Sequence, residues 1–314
     1  MNALDRAELP AAPDGGPPVT IDPDRLDRVG FAVTVGPVGL LGQRLILHCQ
    51  DPALGSFLTA FLAPFAPVRE AATVLHVVEV DGRWAAYQDG GRALWCPTVA
   101  DMARSLVWLL NALALRAPSA DVHVHAASVS LGGRALVIPG RSGAGKTTLA
   151  LALALAGWTY LSDEVAAIGP GGDVVHPYPR PLALDPGSWP LFPGIEARWP
   201  PDVPRLVDDV RLVLPARLGA GGTPAPAEPV AFVFPEVVAG APTSLEPVGR
   251  ADALERVVAA TFNLRTAGAG GFTALAAAVR RSSCHRLVLD GVQAAPAVLR
   301  SLVVGDRDSS NHQL

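Results

Sequence analysis

The stretch VIPGRSGAGKTT, residues 137 to 148, holds Lys146, the only lysine of a 314-residue chain whose 25 basic residues are otherwise all arginine. Arginine is a planar fork and lysine a compact point charge on a flexible stem, so a position that keeps the ammonium in so arginine-biased a chain needs what only the ammonium does. Gly140, Gly145, Lys146 and Thr147 have the spacing G-x-x-x-x-G-K-[ST]. Before the motif, VHVHAASVSL, the Gly132-Gly133 turn and RALVIP read as two β-runs. After it, TTLALALALAG reads as a helix closed by Gly157. Strand, loop and helix in that order make a phosphate cradle. Its glycines let successive N–H groups turn inward, and the helix N-terminus adds its positive end. The spacing therefore assigns Gly140, Arg141, Ser142, Gly143, Ala144, Gly145, Lys146, Thr147 and Thr148 to a nucleoside triphosphate, with Lys146 on its β- and γ-phosphates and the Thr147 hydroxyl on Mg2+.

Next along the chain, WTYLSDE reads as a strand ending in two acids, which places Asp163 and Glu164 beside the metal and the terminal phosphate. One can hold the metal and the other accept a proton. His123 and His125 alternate on one strand and face one side. No third ligand lies at a telling distance, and a packed core histidine is the alternative to a functional one.

Outward from this unit, the runs FAVTV, RLILHC and TVLHVVEV with the helix TVADMARSLVWLLNALALRA suggest a small α+β part over 29–118. The loop domain then covers 119–304, with residues 1–28 a disordered leader and 305–314 a frayed tail. HPYPRPLALDPGSWPLFPG is too proline-rich for helix, and 195–228 reads as a long mobile excursion suited to acceptor contacts. A strand VAFVFP, helices near 250–261 and 271–280, a strand HRLVLD and a last helix AAPAVLRSLV complete the pattern. A net charge of −4 gives no electrostatic footprint for nucleic acid. The uncharged run from Thr147 to Ser162 is 16 residues long and contains Gly157, short of a membrane span. With no secretory signal pattern at the N-terminus, the expected location is the cytoplasm. Three widely spaced cysteines, Cys49, Cys96 and Cys284, read as reduced core thiols.

From Val124 to Ile168, VHAASVSLGGRALVIPGRSGAGKTTLALALALAGWTYLSDEVAAI resembles the catalytic domain of bacterial HPr kinase/phosphorylase, and more closely the HPr-kinase-related proteins of peptide-modification clusters, including those of lasso-peptide type. WLLNAL, LSDE, HPYPRPLAL, FVFPE and TFNL, in that order, resemble the latter group and extend the likeness over about 29 to 304. The resemblance implies an α/β fold with a P-loop kinase domain of the HPr kinase and phosphoenolpyruvate carboxykinase type, and transfer of phosphate from Mg-ATP to a seryl hydroxyl. It also implies that His125 lies near the transferred phosphate, that Asp163 is the catalytic carboxylate with Glu164 its acidic neighbour, and that Arg180 offsets phosphate charge. HPr kinases form hexamers, so a homo-oligomer is expected. Thr148 stands where true HPr kinases have glutamate, and their glycine-containing signature after the acidic strand is not found. A Ser/Thr hydroxyl on a peptide or small protein is therefore the expected acceptor, ahead of HPr; a small-molecule kinase and a non-transferring ATPase module are the alternatives.

Overall fold

The computed structural model describes residues 30–88, 94–219 and 221–304; the expected leader (1–28) and tail (305–314) lie outside them. It is a mixed α/β protein that divides into two compact units.

The first unit is built on a five-stranded sheet in the order β1-β2-β3-β4-β5 (Val33–Leu40, Gln43–Cys49, Thr73–Val80, Arg83–Gln88, Leu94–Cys96). Strands β2 and β3 are parallel, so the chain must cross over between them, and α1 (Pro52–Leu62) makes the crossover. Asp51 caps that helix by accepting the Leu54 N–H at 2.6 Å, with Pro52 in its first turn. Thr98 caps α2 (Val99–Arg116) in the same way, through the Asp101 N–H. Alternation in β2 buries Leu45, Leu47 and Cys49 on one face. Burial there pushes the Cys49 thiol up to about 12, with Asp51 adding to the effect. All three cysteines are free and buried.

The second unit opens with β6 (Val122–Leu131), which turns through Gly132 and Gly133, both at positive φ, into antiparallel β7 (Arg134–Pro139). The loop 140–145 follows, then α3 (Lys146–Leu155), β8 (Thr159–Ser162), β9 (Val165–Ile168), β10 (Val175–His176) and β11 (Leu182–Leu184). Residues Asp185–Leu214 group with the first unit, so the expected 119–304 domain is interrupted. The prolines exclude a long helix from this segment, as expected, but do not leave it loose. Two 3-10 turns, Pro186–Leu191 and Ile195–Arg198, lead to β12 (Arg211–Val213). Trp199 is buried with its ring 5.6 Å from that of Phe57, and its indole N–H donates to Val203 O. The chain re-enters the second unit at Pro215 and builds β13 (Glu228–Val237), β14 (Ser244–Pro247), α4 (Arg250–Ala259), α5 (Leu264–Arg281), β15 (Ser283–Leu289) and α6 (Ala295–Val303). Helix α5 begins before the expected residue 271 and kinks at Gly268, where φ is 57°.

The sheet order is β10-β9-β6-β7-β13-β15-β14, with β8 also on β6. The central pairs β7·β13 and β13·β15 are parallel, and β13 reads as a near-continuous apolar run because both of its faces are covered. Val124, Ala126, Val137 and Phe232 from the sheet pack with Val257, Leu275 and Val279 from α4 and α5. Among the described residues no helix is long and apolar enough to cross a membrane.

Candidate functional site

The loop leaves β7 at Pro139 and enters α3 through Gly145, which has φ +80° and serves as N-cap with no side chain bonded to the helix end. Gly143 is left-handed too, at φ +79°, and a Cβ at either glycine would project into open space. Arg141, Ser142 and Gly143 are exposed, Gly140, Ala144 and Gly145 half-buried, and Thr148 buried. An uncapped helix N-terminus beneath an open glycine turn has room and donors for phosphate oxygens. Lys146 is buried at 6% exposure and folds under the loop, where Nζ donates to Gly140 O at 2.8 Å and Arg141 O at 3.0 Å. An ammonium has three N–H donors, which leaves one for a ligand. Burial lowers the Lys146 pKa, and the Glu164 and Asp163 charges pull it back up.

Asp163 and Glu164 do not end a strand as the pattern implied. They lie in a break: β8 pairs with β6 at Ser128–Ser130, and β9 pairs with the same strand at Val122–His125. Ser162 makes the bend, its hydroxyl oxygen accepting the N–H groups of Glu164 and Val165 at 3.1 and 2.9 Å. Asp163 is thereby turned inward to 2% exposure. Its Oδ2 accepts from Thr147 Oγ1 at 3.2 Å, and its Oδ1 accepts from Tyr160 at 2.9 Å and Arg180 Nε at 3.3 Å. Arg180 reaches Glu164 Oε2 through Nη2 at 3.4 Å. Burial works against charge on Arg180, but Asp163 and Glu164 outweigh it and raise its pKa, so the guanidinium stays charged.

His125 stands with Nε2 3.9 Å from Glu164 Oε1, its ring stacked on Phe262 at 5.1 Å. Burial first, then the Lys146 and Arg180 charges, lower its pKa against the pull of Glu164 and Asp163. The imidazole is therefore neutral at pH 7, able to accept a hydrogen bond. His123 differs: its ring is fully buried and neither nitrogen has a partner among the described residues. Its backbone is held by Asn263 and Phe262.

Lys146, Thr147, Asp163, Glu164, Arg180 and His125 thus form one cluster at the mouth of the loop. Sequence reasoning missed Tyr160, Ser162 and Phe262. A tyrosine inside an apolar strand is a signal, because its hydroxyl must find a partner when buried. Phe262, 137 positions from His125, left none. Among the described residues no group of three His, Cys, Asp or Glu is arranged to hold a metal alone. The oxygens of Thr147 and of the acid pair beside it fit Mg2+ instead, which takes one or two protein oxygens together with phosphate and water.

No family model matches the chain, and no curated protein does. Among solved structures, the HPr(Ser) kinase/phosphatase from Coxiella burnetii aligns over 58% of this chain and 93% of its own, at 11% identity and a TM-score of 0.29. At that similarity the likeness says nothing of activity, and the chemistry rests on the side chains above.

Proposed function

We propose that the chain is an ATP-dependent kinase of the HPr-kinase-like type that phosphorylates a Ser/Thr hydroxyl of a peptide or small protein. One observation carries this: Asp163 is hydrogen-bonded to the hydroxyl that ends the glycine loop and is braced by Arg180, so a carboxylate stands beside the place where a terminal phosphate would sit. Residues 140 to 148 would hold the triphosphate by backbone N–H groups and the third N–H of Lys146. Thr147 and Glu164 would hold Mg2+, whose role when bound is to neutralise phosphate charge, and Asp163 beside them is left for the proton. Asp163 takes the proton of the acceptor hydroxyl on Oδ2 as the acceptor oxygen bonds to the γ-phosphorus and the bond from that phosphorus to the bridging oxygen breaks, releasing ADP. Arg180 keeps Oδ1 engaged and Asp163 in place, and neutral His125 can hydrogen-bond the acceptor or a phosphate oxygen. The peptide acceptor rests on the sequence resemblance to kinases of peptide-modification clusters.

The test is to incubate the protein and Mg-ATP with the peptide encoded nearest its gene, with HPr, and with a panel of sugars and nucleosides, and to look by mass spectrometry for one added phosphate. Asp163→Asn is the control: it should keep nucleotide, measured by calorimetry, and lose transfer, because the amide hydrogen-bonds but takes no proton. Phosphate on a small metabolite and on no peptide selects the small-molecule kinase. Phosphate release without any acceptor product selects an ATPase module.

A further inference from the structure

We propose that Tyr160 is the positioning residue of this site: its hydroxyl, together with Arg180, occupies one oxygen of Asp163 and so presents the other on the Thr147 side of the loop. The kinase reading above enters only in what the presented oxygen then does.

The geometry is unusual for a strand. Residues three apart on a regular strand lie about 10 Å apart and point to opposite faces. Yet the Tyr160 hydroxyl is 2.9 Å from Asp163 Oδ1. The register explains it: Ser128 opposes Ser162 while Val129 opposes Tyr160, so Leu161 is an extra residue, a bulge that reverses the alternation and brings the phenol to the carboxylate. The same hydroxyl lies 3.1 Å from the backbone oxygen of Arg180, and its one proton is shared between the two acceptors. Tyr160 therefore touches both the carboxylate and the main chain of the arginine that pairs with it. Burial holds the phenol neutral, so it remains a donor.

A carboxylate oxygen has two lone pairs. Oδ1 receives Tyr160 and Arg180 Nε, which fills it, whereas among the described residues Oδ2 receives only Thr147 and keeps one open. The aspartate χ2 torsion is broad, so nothing intrinsic stops the carboxyl from turning; the phenol, together with Arg180, supplies that restraint. If Tyr160 only filled space, phenylalanine would serve as well.

The experiment compares wild type with Tyr160→Phe. In crystal structures of the two, the Asp163 carboxyl should turn in the variant and lose its Thr147 hydrogen bond; an unmoved carboxyl overturns the proposal. In transfer assays kcat should fall at least about tenfold with KM for ATP held within about twofold, and 3-fluorotyrosine at position 160, which keeps the hydroxyl, should restore kcat; equal kcat in Tyr160→Phe overturns it. Should Tyr160→Phe not fold, NMR of the wild-type protein decides: the Tyr160 hydroxyl proton should exchange slowly and move upfield on Asp163→Asn, and a fast-exchanging proton indifferent to Asp163 overturns it. The crystal and NMR readouts need no turnover. If wild type transfers nothing, the kinase reading falls and these two still decide the role of Tyr160.

Discussion

Replacing Arg180 with glutamine removes the cation that holds two carboxylates while keeping a side chain of similar reach. Arg180 Nε is 3.3 Å from Asp163 Oδ1, with side-chain exposures of 14% and 1%. At that separation and an effective dielectric of about 20, the attraction is about 5 kcal/mol before desolvation is counted. Removing one partner of such a buried pair costs roughly 3–5 kcal/mol, because the other charge stays buried and uncompensated. The Glu164 contact, at 3.4 Å and about a quarter exposed, adds under about 1 kcal/mol. We expect Arg180→Gln to lose about 3 kcal/mol at pH 7, which for a unit of this size is a drop of roughly 6–12 °C in melting temperature. The assay is calorimetric or circular-dichroism melting of wild type, Arg180→Gln, Asp163→Asn and the double variant. Neutralising Asp163 should rescue most of the loss, giving a coupling of about 2 kcal/mol or more. Additivity within about 0.5 kcal/mol would refute the reasoning.

Lys146→Arg should leave less than about a tenth of the transfer rate, a barrier increase above roughly 1.4 kcal/mol, because a planar fork cannot follow the phosphate from beneath the loop. Melting should drop only a few degrees, and retention of more than a tenth of the rate contradicts the single-lysine argument. His123→Leu should raise the melting temperature, since two buried ring nitrogens without partners among the described residues carry a penalty of roughly 1–3 kcal/mol; a lower melting temperature counts against it. Burial lowers the His123 pKa in the folded protein, so below about 6.5 the unfolded chain takes a proton that the folded chain refuses. Stability tied to His123 is thus full above about pH 6.5 and lost as pH falls, and His123→Leu should flatten the melting curve between about pH 7 and 5. An unchanged slope removes His123 from the acid response.

Sequence alone determined what depends on neighbours along the chain. The glycines and Lys146 sit between a β-run and a run of helix formers, and strand, loop and helix follow from that local order. Asp163 and Glu164 were legible as acids near the loop because one helix and one short strand bring the chain back. Arg180, 17 positions on, entered only through resemblance, since proline-flanked arginine has no periodicity to read. The tertiary structure decided the rest. Whether Tyr160 meets Asp163 depends on one extra residue in the pairing with β6, and a bulge is a property of two strands that neither segment displays by itself. The stacking of Phe262 on His125 depends on how residues 260–263 lie along β6. Likewise the stretch 195–228 looked like an excursion because proline excludes helix, while the burial of Trp199 within it is set by packing on Phe57 from a distant part of the chain. Backbone propensity acts over a few residues and is written in the sequence; register and side-chain packing are energies between segments, and they take definite values only once the segments meet.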